Sequence, residues 1–298
     1  MSAVTRYRVR HQTTYNYDGT VAHSHQLLHL SPRDGPHQVC RSRKITLTPE
    51  PSTRREDVDA FGNVVTRLEY DMPHDRLDVL AELTVEVTAP QQWPARASHP
   101  WETVRDAMLY SAQPLAGEYL DACRFRMESS YVRVKQIFTD YGAECFGEQC
   151  PLLEAAEALM RKLHREFSYE PGTTDISTSV LEAFEARRGV CQDFAHVMLA
   201  CLRSRGLAAR YVSGYLRTIP PPGADACLLG ADASHAWVSV FCPPLGWIDL
   251  DPTNDVRVTS DHIVVAWGRD FGDVSPLRGV IVGSRGHRLS VRVSVQAE

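Results

Sequence analysis

The stretch Arg187-Arg188-Gly189-Val190-Cys191-Gln192-Asp193-Phe194-Ala195-His196 decides how this chain is read. Gly189 closes one helical pattern. After Cys191, the residues Phe194, Met198, Leu199 and Leu202 recur at helical spacing until Gly206 stops the run. The spacing predicts a buried helix with a thiol on its first turn. Unpaired backbone N–H groups and the helix dipole favour an anion there. The thiolate is the nucleophilic form of cysteine, and this placement is one way to obtain it near neutral pH. On the same turn Asp193 complements the dipole and Gln192 is placed to line a cleft. His196 lies about one and a half turns on, points away from the thiol and reads as a packing residue.

Working outward, Leu153, Ala156, Met160, Leu163 and Phe167 fit one face of a helix, and Trp101 to about Asp140 also reads as helical. Ser179-Val180-Leu181-Glu182 matches a capping box and starts a short helix that ends at Gly189. Beyond Gly206 the pattern turns to strands: 209–216, 236–241, 247–250 and 289–295, with a proline-rich loop over 218–230. Helices followed by an antiparallel sheet define an α+β fold. The first 90 residues differ. Tyr7, Val9, His11, Thr13 and Tyr15 alternate with mostly polar neighbours, and turn signals at Asp18-Gly19 and Phe61-Gly62-Asn63 separate further alternating runs. Short strands and turns at this spacing predict an all-β, sandwich-like unit. Pro90-Gln91-Gln92-Trp93-Pro94 marks a boundary, so the expected division is residues 1–92 and 93–298.

The chain has 298 residues, 43% of them hydrophobic and 23% charged, as in ordinary globular proteins. At roughly 100–200 residues per domain, that length suits two. A net charge of −5 offers no basic field for nucleic acid or an anionic membrane. No apolar run approaches a membrane span and Met1 to Tyr7 has no signal-like core, so a cytoplasmic location is expected. Eight cysteines spread over so long a chain do not suggest a disulfide framework. His23, His25 and His29 invite a zinc reading, but no fourth ligand follows at suitable spacing, so neither a metal nor a cofactor is expected.

A cysteine nucleophile needs a base, and the base needs a group to orient it. His235 stands at the start of one strand and Asp251 at the end of the next, with the tight turn Pro243-Pro244-Leu245-Gly246 between them. Antiparallel pairing would bring both to one end of the sheet. Asp249 shares the face of Asp251 and is its rival. Four blocks then resemble the core of the bacterial transglutaminase-like superfamily: Gly189 to Ala195, Ala209 to Tyr215, Ser234 to Val238, and Trp247 to Thr253, all within about residues 150–260. Members of that superfamily are commonly described as cysteine proteases, on a papain-like fold in which a Cys-bearing helix packs on a His- and Asp-bearing sheet. The resemblance implies Cys191, His235 and Asp251 as the catalytic positions and selects Asp251 over Asp249. Tyr15-Asn16-Tyr17, Leu27 to Arg33 and Asp59 to Asn63 resemble the family's N-terminal β domain. The acidic insertions that bind calcium in animal transglutaminases are not seen.

The resulting expectation is amide acyl transfer through a Cys-His-Asp triad and a thioester, with hydrolysis of a peptide, protein or small amide favoured. Protein cross-linking is the alternative outcome of the same triad. A non-enzymatic binding module and an arylamine-type acetyl transferase are rivals from other classes. Tyr169 is a candidate second oxyanion donor beside the Cys191 N–H, Trp237 either walls the channel or belongs to the core, and the loop over 220–233 is expected to border the cleft.

Overall fold

The computed structural model describes residues 4–110, 114–115, 117–174, 178–217 and 234–298. The loop over 220–233 therefore lies outside the described residues. The chain opens with six strands: β1 (Val4–Val21), β2 (His23–Leu28), β3 (Gln38–Thr48), β4 (Thr53–Val58), β5 (Val64–Tyr70) and β6 (His74–Thr88). Period-two alternation sets their faces. On β1, Tyr7, Val9, His11 and Thr13 are buried while Arg6, Arg8 and Arg10 face solvent; on β6, Leu77, Val79, Ala81, Leu83, Val85 and Val87 are buried. Each buried Leu or Val among them contributes about 1.5–3 kcal/mol by leaving water.

Over residues 101–140, where the pattern reads as helical, the described residues form three short helices: α1 (Trp101–Ala107), α2 (Gly117–Cys123) and α3 (Gln136–Tyr141). Between the last two, the backbone bonds elsewhere, the Phe125 carbonyl accepting from the Ala209 N–H and the buried Arg203 side chain. Then come α4 (Leu152–Glu166), β7 (Ser168–Tyr169), α5 (Val180–Ala186), β8 (Arg188–Gly189) and α6 (Cys191–Arg203). The capping box at α5 forms: the Ser179 hydroxyl accepts from the Glu182 N–H, and Glu182 accepts from the Ser179 N–H. A core sheet follows, from β9 (Ala209–Leu216), β10 (His235–Phe241), β11 (Trp247–Asp251), β12 (Val256–Arg257) and β13 (His262–Gly268), ordered β12-β11-β10-β9-β13 and antiparallel throughout. Helix α6 packs on β9 and β10 and is wrapped by α3, α4 and α5; every residue from Asp193 to Arg203 is buried. This α+β arrangement behind a strand-rich N-terminal unit is the expected fold class.

The expected boundary needs correction at its far end. After α7 (Phe271–Val274), the strands β14 (Leu277–Val282) and β15 (His287–Ala297) return to the N-terminal unit, β15 pairing with β1 and β14 with β2. Two four-stranded sheets result, β15-β1-β6-β3 and β14-β2-β5-β4, so the β unit draws on both ends of the chain. The alternation in 289–295 reveals a strand but not which sheet receives it.

The β unit grips β13, which is an edge of the core sheet. Exposed edges carry unpaired backbone groups. Two side-chain amides stand in for the missing strand. Gln38 accepts from the Val264 N–H and donates to the Val264 carbonyl, both at 2.8 Å; Asn63 does the same at Trp267, at 3.0 and 2.8 Å. Asn63 also donates to Asp59 and accepts from Arg33, whose guanidinium stacks on Trp267. The Phe61-Gly62-Asn63 turn is thus a docking element. Asn63→Ala would leave several buried donors and acceptors unpaired, each worth about 1–3 kcal/mol. The expected result is a loss of about 3 kcal/mol or more in urea denaturation; a loss below ~1 kcal/mol would contradict this account of the interface.

Candidate active site

Cys191 is the first residue of α6 and is partly exposed, as the helix reading required. Asp193 folds back so that Oδ2 accepts from the Val190 N–H at 2.8 Å and from the Thr174 hydroxyl at 2.7 Å. A Cβ on Gly189 would lie 2.4 Å from that oxygen, so only glycine admits the turn. The turn fixes where the helix begins and therefore where the thiol stands.

Antiparallel pairing of β10 and β11, with Phe241 opposite Trp247 and Val238 opposite Leu250, carries His235 and Asp251 to one end of the sheet. His235 Nε2 lies 2.7 Å from Asp251 Oδ2, and the Cys191 side chain is near enough to the imidazole to help raise its pKa. With Nε2 committed to Asp251, the nitrogen left for the thiol is Nδ1. The Cys191 sulfur lies 3.9 Å from the Ser234 carbonyl oxygen. Asp251 is fully buried and saturated with donors. Its Oδ1 accepts from the Thr253 and Asn254 N–H groups at 3.0 and 3.3 Å; Oδ2 faces His235, the Asn254 amide at 2.6 Å and His262 Nε2 at 3.3 Å.

Burial alone would lower the His235 pKa, but the hydrogen bonds to Asp251 and Cys191, with their charges, outweigh it and raise it to about 10. Burial alone would raise Asp251, but the bonds from His235, His262 and Asn254 and the His235 charge hold it well below the usual carboxylate range. The signs follow. A histidine raised above its unfolded value of about 6.5 stabilises the fold fully below that pH and loses the contribution as pH rises toward 10. The Asp251 contribution is complete above about pH 4 and is lost only in acid. Melting temperature is therefore expected to fall between pH 7 and 10, with part of the slope abolished by His235→Gln; an unchanged slope in that variant would contradict the pairing.

The remaining sequence candidates divide. Tyr169 is 45% exposed and sits beside Gly189 in the β7–β8 pair, next to the start of α6. Gln192 is half-buried on the first turn of α6. Trp237 cannot wall a channel: it is fully buried, its indole N–H donates to Asp249 at 3.0 Å, and it lies over Gly214, where a Cβ would meet it at 2.5 Å. Asp249 thus serves the tryptophan and Asp251 the histidine. His196 is buried, accepts from the Phe271 N–H at 3.2 Å and stacks on Tyr131, a packing role. His23 and His25 are exposed on β2, whereas His29 is buried against Ser275 and Asp59, so the three do not converge. Among the described residues the one group of three metal-ligating side chains is His235, Asp251 and His262, and its atoms are engaged with one another. The sequence does not single out His262 or Asn254; each stands in or after a turn among other polar residues, with no spacing to mark it. Among the described residues no helix is long and apolar enough to cross a membrane.

A Cys-bearing helix start against the end of a sheet bearing His and Asp, behind a β unit, defines a transglutaminase-like protein. Residues 7–86 match the bacterial transglutaminase-like N-terminal region, and residues 139–252, which include Cys191, His235 and Asp251, match the transglutaminase-like superfamily. The chain belongs to this superfamily. An uncharacterized protein of Mycobacterium tuberculosis is 39% identical over 288 residues, 94% of this chain and 89% of its own. A protein-glutamine gamma-glutamyltransferase of Pseudomonas aeruginosa is 32% identical over 107 residues, 34% of this chain and 16% of that protein. The crystal structure of a candidate cysteine protease from Cytophaga hutchinsonii shares the fold at a TM-score of 0.76 and 20% identity, covering 99% of this chain and 91% of that one.

Proposed function

We propose that the chain transfers acyl groups from amides through a thioester on Cys191, with water as the favoured acceptor. The observation that carries the reading is the His235–Asp251 hydrogen bond at 2.7 Å together with the Cys191 sulfur 3.9 Å from the carbonyl oxygen of Ser234, the residue next to His235. The imidazole, held protonated by Asp251, pairs with the thiolate. The sulfur attacks the amide carbonyl carbon, and the oxyanion is met by the Cys191 N–H, with Tyr169 as candidate second donor. The C–N bond breaks, and His235 gives its proton to the departing ammonia or amine. His235 then takes a proton from water, the resulting hydroxide equivalent attacks the thioester, the C–S bond breaks and the acid leaves. Peptides, proteins and small amides all fit this chemistry.

Cross-linking is the second reading, favoured by the similarity to a glutamine gamma-glutamyltransferase. In it a primary amine replaces water at the thioester. Incubation with a glutamine-rich protein and a fluorescent primary amine separates the two. The proposal expects ammonia or new peptide ends, a transient acyl mass on Cys191 and little fluorescence incorporated. Incorporation exceeding hydrolysis would move the assignment to transfer.

A further inference from the structure

We infer that His262 is a positioning residue that holds Asp251 in line with His235, and that the N-terminal β unit holds His262 in turn. This rests on the acyl-transfer reading of Cys191, His235 and Asp251. His262 is the first residue of β13 and is 4% exposed. Its Nδ1 accepts the Thr259 N–H at 3.3 Å, so the neutral ring carries its proton on Nε2, the nitrogen 3.3 Å from Asp251 Oδ2. That is the oxygen His235 uses. Two imidazoles and the Asn254 amide thus converge on Oδ2, while backbone N–H groups hold Oδ1, and the carboxylate cannot rotate without breaking several bonds at once. Trp237 meets the His262 ring edge to face at 5.3 Å and blocks its movement on that side.

His262 is fixed between two attachments from the β unit. One residue before it, Asp261 accepts from the Tyr7 hydroxyl at 2.8 Å, and it also lies 3.5 Å from Arg217. Two residues after it, Val264 is gripped by Gln38. The N-terminal unit, which touches no member of the triad in the contacts above, therefore bears on the site through this histidine. Residues that orient a directly acting group commonly change activity by about 10–100-fold when removed.

The test is the rate at which iodoacetamide alkylates Cys191 in the full chain from pH 5 to 8. In the wild type the rate should hold as pH falls, because the imidazolium supports the thiolate. His262→Ala should slow it about 10–100-fold at pH 6 and make it decline with pH as a model thiol does. His262→Gln, whose amide N–H can donate toward Asp251, should recover most of the rate, and Gln38→Ala should give a smaller loss of the same kind. If His262→Ala does not fold, His262→Phe, which keeps the ring volume, replaces it. A wild-type profile in the Ala or Phe variant, or failure of Gln to recover any rate in a folded protein, would overturn the inference alone. A wild-type Cys191 that reacts like a model thiol would overturn the acyl-transfer reading with it.

Discussion

Cys191→Ala should abolish amide turnover while leaving the fold intact. The thiol sits at the first position of α6, where its neighbours, not its own side chain, hold the helix in place. Asp193 secures the first turn through Val190, and the buried residues from Phe194 onward anchor the rest. Alanine is the best helix former, and the site is only partly buried, so the stability change should stay within about 1 kcal/mol. The chemistry has no substitute. Without the sulfur no thioester forms, and His235 would have to activate water against an unactivated amide. Loss of a nucleophile in such a unit costs roughly 10⁴–10⁶-fold in rate. Ammonia release and a melting curve, measured together, check both halves. Residual turnover above about 1% of wild type would remove Cys191 from the nucleophile role.

Asp251→Asn should be damaging in both rate and stability. The carboxylate accepts on both oxygens, and every group facing it is a donor: His235, His262, the Asn254 amide and the Thr253 and Asn254 N–H groups. An asparagine presents one oxygen and one NH₂. If the oxygen faces the histidines, the NH₂ meets two backbone N–H groups; if reversed, it meets His235, His262 and Asn254. One cluster of donors is left unsatisfied in a fully buried place either way. Breaking a buried charge pair costs about 3–5 kcal/mol. His235 can escape by moving its proton to Nδ1, but that tautomer cannot accept from the thiol, and the equivalent error elsewhere costs roughly 10⁴-fold. Urea denaturation and turnover should fall together. Activity within tenfold of wild type would mean that Asp251 does not orient the base.

What could be read from the chain alone followed from local periodicity. The helix from Cys191 declared itself through Phe194, Met198, Leu199 and Leu202, and the strands around His235 and Asp251 through alternation and the turn between them. The choice of Asp251 over Asp249 came from resemblance, since both share a face; Trp237, bonded to Asp249, now gives that difference a physical cause. Long-range pairing was not legible. Nothing in Leu289 to Val295 says that this strand lies beside β1, because antiparallel alternation is the same for any partner. Asn63 read as a turn residue in a block resembling the family's β domain, with nothing to show that its amide completes the edge of β13 some 204 positions away. His262 carried no signal because its function comes from the carboxylate it meets in three dimensions, eleven residues from Asp251 in sequence.

If His235 activates Cys191, the other partly exposed cysteines supply an internal reference for its reactivity. Limited iodoacetamide labelling at pH 6.5, read by peptide mass spectrometry, gives the rate at each thiol. Cys40, Cys123 and Cys150 are partly exposed like Cys191, but of the four only Cys191 starts α6, with its sulfur 3.9 Å from the carbonyl oxygen next to His235. The account predicts that Cys191 is labelled at least about 100-fold faster than those three and that His235→Ala removes the difference. Labelling of Cys191 at the same rate as Cys40 would contradict it.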